Sequence, residues 1–108
     1  MKHKKRESGY ILVTVAVLLV VLLGFTALAV DVGMLYASRT QSQRAADAAA
    51  LAGAFTFVLN PDLTDQPGRA VLDAKKVATS NTAMGTTITD AQVNVAVEVP
   101  ERRVTVTI

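Results

Sequence analysis

Few residues in this chain have side chains that could carry out covalent or acid–base chemistry. Among its 108 residues there is one histidine, His3, and no cysteine. Thiol chemistry, disulfide frameworks and the usual His/Cys zinc sets are therefore excluded. A Ser/His/Asp constellation would have to recruit His3, which sits in a basic N-terminal tail ahead of a long apolar run that separates it from most of the serines. Asp62, Asp65, Asp73 and Asp90 are scattered without calcium-loop spacing. No glycine-rich phosphate loop is present. The composition reads as that of a non-enzyme, with no cofactor and no small-molecule substrate. The net charge of +2 is modest, and no basic stripe falls on a predicted folded element, so nucleic acid is not an expected partner.

The informative chemistry is that of membranes and packing. Lys2, Lys4, Lys5 and Arg6 precede a run, Ile11–Val30, that is almost wholly apolar, broken only by Thr14, Gly24 and Thr26. Twenty helical residues span about 30 Å, the thickness of a bilayer's hydrocarbon core. Ile11, Leu12, Val13, Leu18, Leu19, Leu22, Leu23, Phe25 and Leu28 would face lipid as the anchor. The basic cluster outweighs Arg39 and Arg44 beyond the span. The positive-inside rule then puts the N-terminus in the cytoplasm and the rest of the chain outside. Ser8 or Gly9 is the expected helix start and Tyr10 an interfacial anchor. Two processing routes compete with a retained anchor. Ala27-Leu28-Ala29 has the small-x-small pattern of a signal-peptidase site, which would release a secreted binding module starting at Val30. The apolar run is long for a signal peptide, however, and helical patterning continues through the site. Cleavage after Gly9, as by a prepilin peptidase, would make a filament subunit, but Thr14 stands where that enzyme's substrates usually carry glutamate.

From Asp31 to Leu59 there is no proline, and alanine is abundant. One helix is predicted from about Gly9 to Leu59, ending at Asn60-Pro61 because the residue before proline disfavours helical geometry. A polar loop, 61–68, follows. A second, amphipathic helix is predicted over Arg69–Met84, with Ala70, Val71, Ala74, Val77 and Ala78 inward, Asp73, Lys75 and Lys76 facing elsewhere, and Gly85 as its stop. Val93, Val95, Val97 and Val99 then alternate, as do Val104, Val106 and Ile108, around a Pro100–Arg103 turn. The fold class is α+β: a long N-terminal transmembrane helix continuing outside the membrane, a second amphipathic helix and a C-terminal β-hairpin. The division runs 1–9 basic cytoplasmic tail, 10–30 transmembrane helix, 31–59 alanine-rich continuation and 60–108 small extracytoplasmic region. With so few large side chains this region buries a thin core.

Gly24–Ala54 contains Ala29-Val30-Asp31-Val32-Gly33, then Tyr36, Arg39 and Gln43, and the run Ala45-Ala46-Asp47-Ala48-Ala49-Ala50-Leu51-Ala52-Gly53-Ala54. This resembles the N-terminal region of the TadE/TadG-like family of the Tad (Flp) pilus assembly system, closest to its TadG-like branch. Family members show a basic start, an apolar span and the two motifs A-V-D-x-G-x-x-Y and A-A-D-A-A-A-L-A-G-A. The resemblance covers about the first half of the chain. It implies a membrane-anchored structural or assembly component of a bacterial pilus or related secretion apparatus, in the cytoplasmic (inner) membrane, with other pilus-assembly subunits as partners. The von Willebrand factor type A-like domain of some longer members has no counterpart here, so its metal chemistry does not transfer.

At the motif positions the residues speak of boundaries and close packing. Asp31 ends the apolar span, where a carboxylate must reach headgroup water or a basic partner. Gly33 would admit another backbone, and Tyr36 would sit at the interface or pack on the domain. Ala45, Ala49 and Gly53 recur every four residues, as do Ala46, Ala50 and Ala54. Such rows let two helices approach closely. Their partner is the chain's own second helix or another subunit, with self-association among the expected contacts. If another subunit, Ala49→Leu or Gly53→Leu should disrupt assembly and spare membrane insertion. Arg44 and Asp47, three apart, are expected to pair.

Overall fold

The computed structural model describes residues 4–61 and 68–108, with side chains from Gly9 onward in the first segment. Lys2 and His3 lie outside the described residues, as does most of the expected polar loop. Lys4, Lys5 and Arg6 are described by backbone alone, and that backbone is helical. The architecture is α+β: α1 (Lys4–Leu59), α2 (Gly68–Thr79), a short hairpin of β1 (Thr82–Ala83) and β2 (Thr86–Thr87), a 3₁₀ turn at Asp90–Gln92, and a hairpin of β3 (Asn94–Glu98) and β4 (Arg103–Thr107). Two compact units divide the chain, one through Leu35 and one from Tyr36 to Ile108.

α1 is already helical at Lys4, the first described residue, ahead of Ser8 and Gly9. Lysine, arginine and glutamate are good helix formers, and nothing in Lys4–Glu7 stops a helix from starting before the serine. Its C-terminal end falls at Leu59, ahead of Asn60-Pro61. The first unit is this helix alone, and its large apolar side chains from Tyr10 to Leu35 are all exposed. Thr14 and Thr26 do not leave free hydroxyls on it. Each donates to the carbonyl four residues back, Tyr10 and Leu22, at 2.9 Å.

In the second unit, the end of α1, α2 and the β3–β4 hairpin bury each other. The core is made largely of alanine: Ala45, Ala46 and Ala49 from α1, and Ala70, Ala74 and Ala78 from α2, with Phe57, Ile88 and Val93 as the larger members. Val95, Val106 and Ile108 pack against it from the β side. β3 and β4 are antiparallel, with Asn94 opposite Thr107 and Glu98 opposite Arg103. Their alternating half-buried and exposed pattern matches the valine alternation of the sequence. A two-stranded hairpin is marginal alone, so the helical layer beneath it is a condition of its existence.

α2 stops at Thr79, five residues short of the predicted Met84. The short polar side chains of Ser80 and Asn81 bond back onto the helix end, each donating to the Val77 carbonyl at 2.8 and 2.7 Å. This is the competition with the backbone that makes such residues helix terminators. Thr82–Thr87 then pairs as β1–β2, and Gly85 (φ 73°) sits in its turn instead of capping a helix. Met84 precedes it, also at positive φ (53°). Two successive left-handed residues are what a two-residue hairpin turn of the favoured hand requires.

Candidate functional site: an apolar span and a small-residue seam

Among the described residues, the features with functional content are a pair of packing surfaces. Ala45, Ala49 and Gly53 lie one turn apart on α1, and Ala70, Ala74 and Ala78 lie one turn apart on α2. All six are buried. A Cβ on Gly53 would fall 2.9 Å from Val104 Cγ1, 3.1 Å from the Ala70 carbonyl oxygen and 3.2 Å from Ala74 Cβ. α2 and strand β4 therefore converge on α1 at Gly53, where the side chain is absent. The partner of this small row, open between the chain's own second helix and another subunit, is the second helix. Ala49→Leu and Gly53→Leu would accordingly disturb the fold of this unit before any assembly.

The second small row divides. Ala46 is buried, and Ala50 and Ala54 are half-buried. Asp47 is exposed and accepts from Gln43 Nε2 at 3.1 Å, so it takes a partner four residues back in place of Arg44. Among the described residues nothing approaches within 4 Å of where a Cβ on Gly33 would lie. Asp31 and Tyr36 are exposed.

Three polar contacts that sequence reasoning missed lock the seam and its flank. Thr56 is buried at the end of the α1 core row, and its hydroxyl donates to Asp73 Oδ2 at 2.7 Å. Asp73, expected to face elsewhere, is half-buried at the helix–helix edge for this reason. Lys75, also expected to face away, reaches Asp90 at 3.0 Å and ties α2 to the 3₁₀ turn. Gln41 Oε1 accepts from the Met84 backbone N–H at 2.8 Å and holds the β1–β2 turn. A threonine four residues beyond Ala52 and one turn beyond Gly53 could have been noticed as the polar end of the small row. Its aspartate, 17 residues on, could not.

An open cleft of about 610 Å³ lies beside this hairpin, lined by Ser38, Ser42, Thr86, Thr87, Gln92 and the apolar Ala83, Met84, Ile88 and Ile108. Its polar groups are hydroxyls and one amide, none of which titrates near neutrality. Among the described residues no group of three acidic or histidine side chains gathers in one place.

The other surface is the exposed apolar helix of the first unit. It is long and apolar enough to cross a membrane, with none of that stretch buried. The class defined is a chain with one candidate membrane-spanning helix and a small α+β unit. Residues 9–55, just under half of the chain, match the family model described as "Putative Flp pilus-assembly TadE/G-like". That stretch takes in the apolar span, Asp31, Gly33, Tyr36 and the alanine-rich row through Gly53, and it supports a role related to the Flp pilus, structural in kind and exercised with other pilus components. Neither the curated proteins nor the solved structures yielded a match.

Proposed function

We propose that this protein is a membrane-anchored structural or assembly component of a Tad (Flp) type pilus or related secretion apparatus. Residues 11–30 are its anchor in the bacterial cytoplasmic membrane, the basic tail stays in the cytoplasm, and the α+β unit lies outside. The observation that carries this reading is the uninterrupted exposure of the apolar side chains from Tyr10 to Leu35. Twenty or more exposed apolar helical residues are stable only in lipid or against other apolar helices. The anchor acts by holding the unit at the membrane, and the unit acts by contact with other subunits. No step in that action needs a reactive group.

Alkaline extraction of membranes from cells making the full chain tests the anchor, with N-terminal sequencing of the recovered protein. The expected result is retention in the membrane pellet with the apolar span intact. A soluble chain beginning at Val30 would establish release by signal peptidase instead, and a chain beginning at Tyr10 would make it a processed filament subunit. The helix has no break near Ala29, which favours retention, since signal peptidases act on extended segments.

A further inference from the structure

α1 has a second apolar stripe that neither the fold nor the anchor uses. Leu51, Phe55, Val58 and Leu59 recur at helical spacing on the face turned away from Ala49, Gly53 and Thr56, and they are 72, 53, 70 and 65% exposed. With each of them more than half exposed, the four present on the order of 400 Å² of apolar surface together. That is the size of the largest apolar patch on a typical monomer, and such patches are often functional. The stripe supplies about half of the ~800 Å² that each partner contributes to a stable interface in solution.

From this stripe we infer that α1 pairs with α1 of a second copy of the same chain, through Leu51, Phe55, Val58 and Leu59. Two features select a second copy over another occupant. At a two-fold axis each residue meets its own counterpart, which excludes charge from the centre of the contact. From Ala48 to its end at Leu59 α1 carries no charged residue at all. At the N-terminal edge of the stripe, on the same face, stand Arg44 and Asp47, both exposed. Among the described residues no ion pair within the chain takes up Arg44. A parallel second copy offers Asp47 to Arg44 and Arg44 to Asp47, twice over by symmetry. The parallel direction, and the two-dimensional confinement that lets a patch of this size suffice, rest on the anchor reading.

The sequence has no cysteine, so between copies of this chain a single introduced thiol can bridge only to its own counterpart. Leu51→Cys and Phe55→Cys, each in the full chain in native membranes, are oxidised and compared with Thr105→Cys, an exposed control on β4. Disulfide-linked dimer several-fold above the control is expected at both stripe positions, since bridging requires Cα atoms within about 7 Å. In the Leu51→Cys background, Arg44→Glu should reduce the dimer toward the control, and adding Asp47→Arg should restore it. Yields at the stripe no higher than at Thr105→Cys would overturn the pairing, as would capture of another protein in place of the homodimer. Alkaline extraction of the same samples reads the anchor separately. Retained but unbridged protein sinks the pairing alone, and released but bridged protein sinks the anchor alone.

Discussion

Gly53 is under two opposed demands. A glycine inside a helix costs about 0.5–1 kcal/mol relative to alanine. Yet a methyl group there would meet Val104 Cγ1, the Ala70 carbonyl and Ala74 Cβ inside comfortable contact, and overpacking of a close-packed core costs about 1–3 kcal/mol. The packing term wins, because one of the three neighbours is backbone and cannot rotate away. Gly53→Ala is expected to lower the stability of the α+β unit by about 1 kcal/mol, read as a lower Tm of the full chain in detergent. A Tm raised by the full helix-propensity gain would show that α2 and β4 do not crowd this turn. Thr56 and Lys75 offer a comparison of buried against exposed polar contacts. The Thr56–Asp73 bond is part-buried, with Thr56 itself buried, and a hydrogen bond to a charged group contributes about 1.5–3 kcal/mol. The Lys75–Asp90 pair has an exposed aspartate and is worth at most about 1 kcal/mol. Thr56→Val should therefore lower Tm clearly more than Lys75→Met does. The reverse order would mean that Asp73 takes its partner from water.

The elements that hold these residues differ in how much local help they receive. The turn of the β3–β4 hairpin places Pro100 after Val99, whose carbonyl accepts from the Arg102 N–H at 3.2 Å. Proline suits this second position of the turn. Arg102 itself sits at φ 50°, a conformation that costs a residue with a Cβ roughly 1–2 kcal/mol. Its neighbour Arg103 lies beside Glu98 and Glu101 in exposed ion pairs, which offset little of that strain. Arg102→Gly is expected to stabilise the hairpin by about 1 kcal/mol, visible as a higher Tm and slower amide exchange in β3 and β4. Lower stability in that variant would show that the Arg102 side chain supports the turn. α1 is the contrasting element. Its alanine-rich stretch has high helix propensity, and its faces are specialised: one stripe of small residues packs on α2, and another of large ones is exposed.

For the whole molecule, the proposed topology makes a statement about both ends of the chain. Ser8→Cys and Thr105→Cys, in otherwise cysteine-free protein, lie on opposite sides of the apolar run. In spheroplasts, a membrane-impermeant thiol reagent should label Thr105→Cys and leave Ser8→Cys unlabelled until the membrane is broken. Labelling of both, or of the Ser8 variant alone, would overturn the assignment of sides. The thin core has a consequence at this scale too. A unit stabilised by alanine contacts and a two-stranded hairpin has little reserve, so contact with other subunits is expected to matter to its persistence as well as to its role.

Much of this was legible from residue order, because the strongest signals are local. A 20-residue apolar run, an alanine row at four-residue spacing, a proline after Leu59 and alternating valines each announce an element through its own period. The resemblance to TadE/TadG-like proteins rests on the same first half that the family model matches. The α2 terminus at Thr79 and the β1–β2 hairpin were not legible, since two-residue strands have no period and Met84 is not a residue that advertises a left-handed turn. Nor was the choice of partner for Ala45, Ala49 and Gly53. Small rows on two helices state that each will accept a close neighbour, and only the folded arrangement, with the Ala70 carbonyl and Val104 closing on Gly53 and Thr56 reaching Asp73, decides that they accept each other. Periodicity records which face of an element is apolar. Which surface covers that face depends on contacts between residues far apart in the chain, and these leave no trace in local spacing.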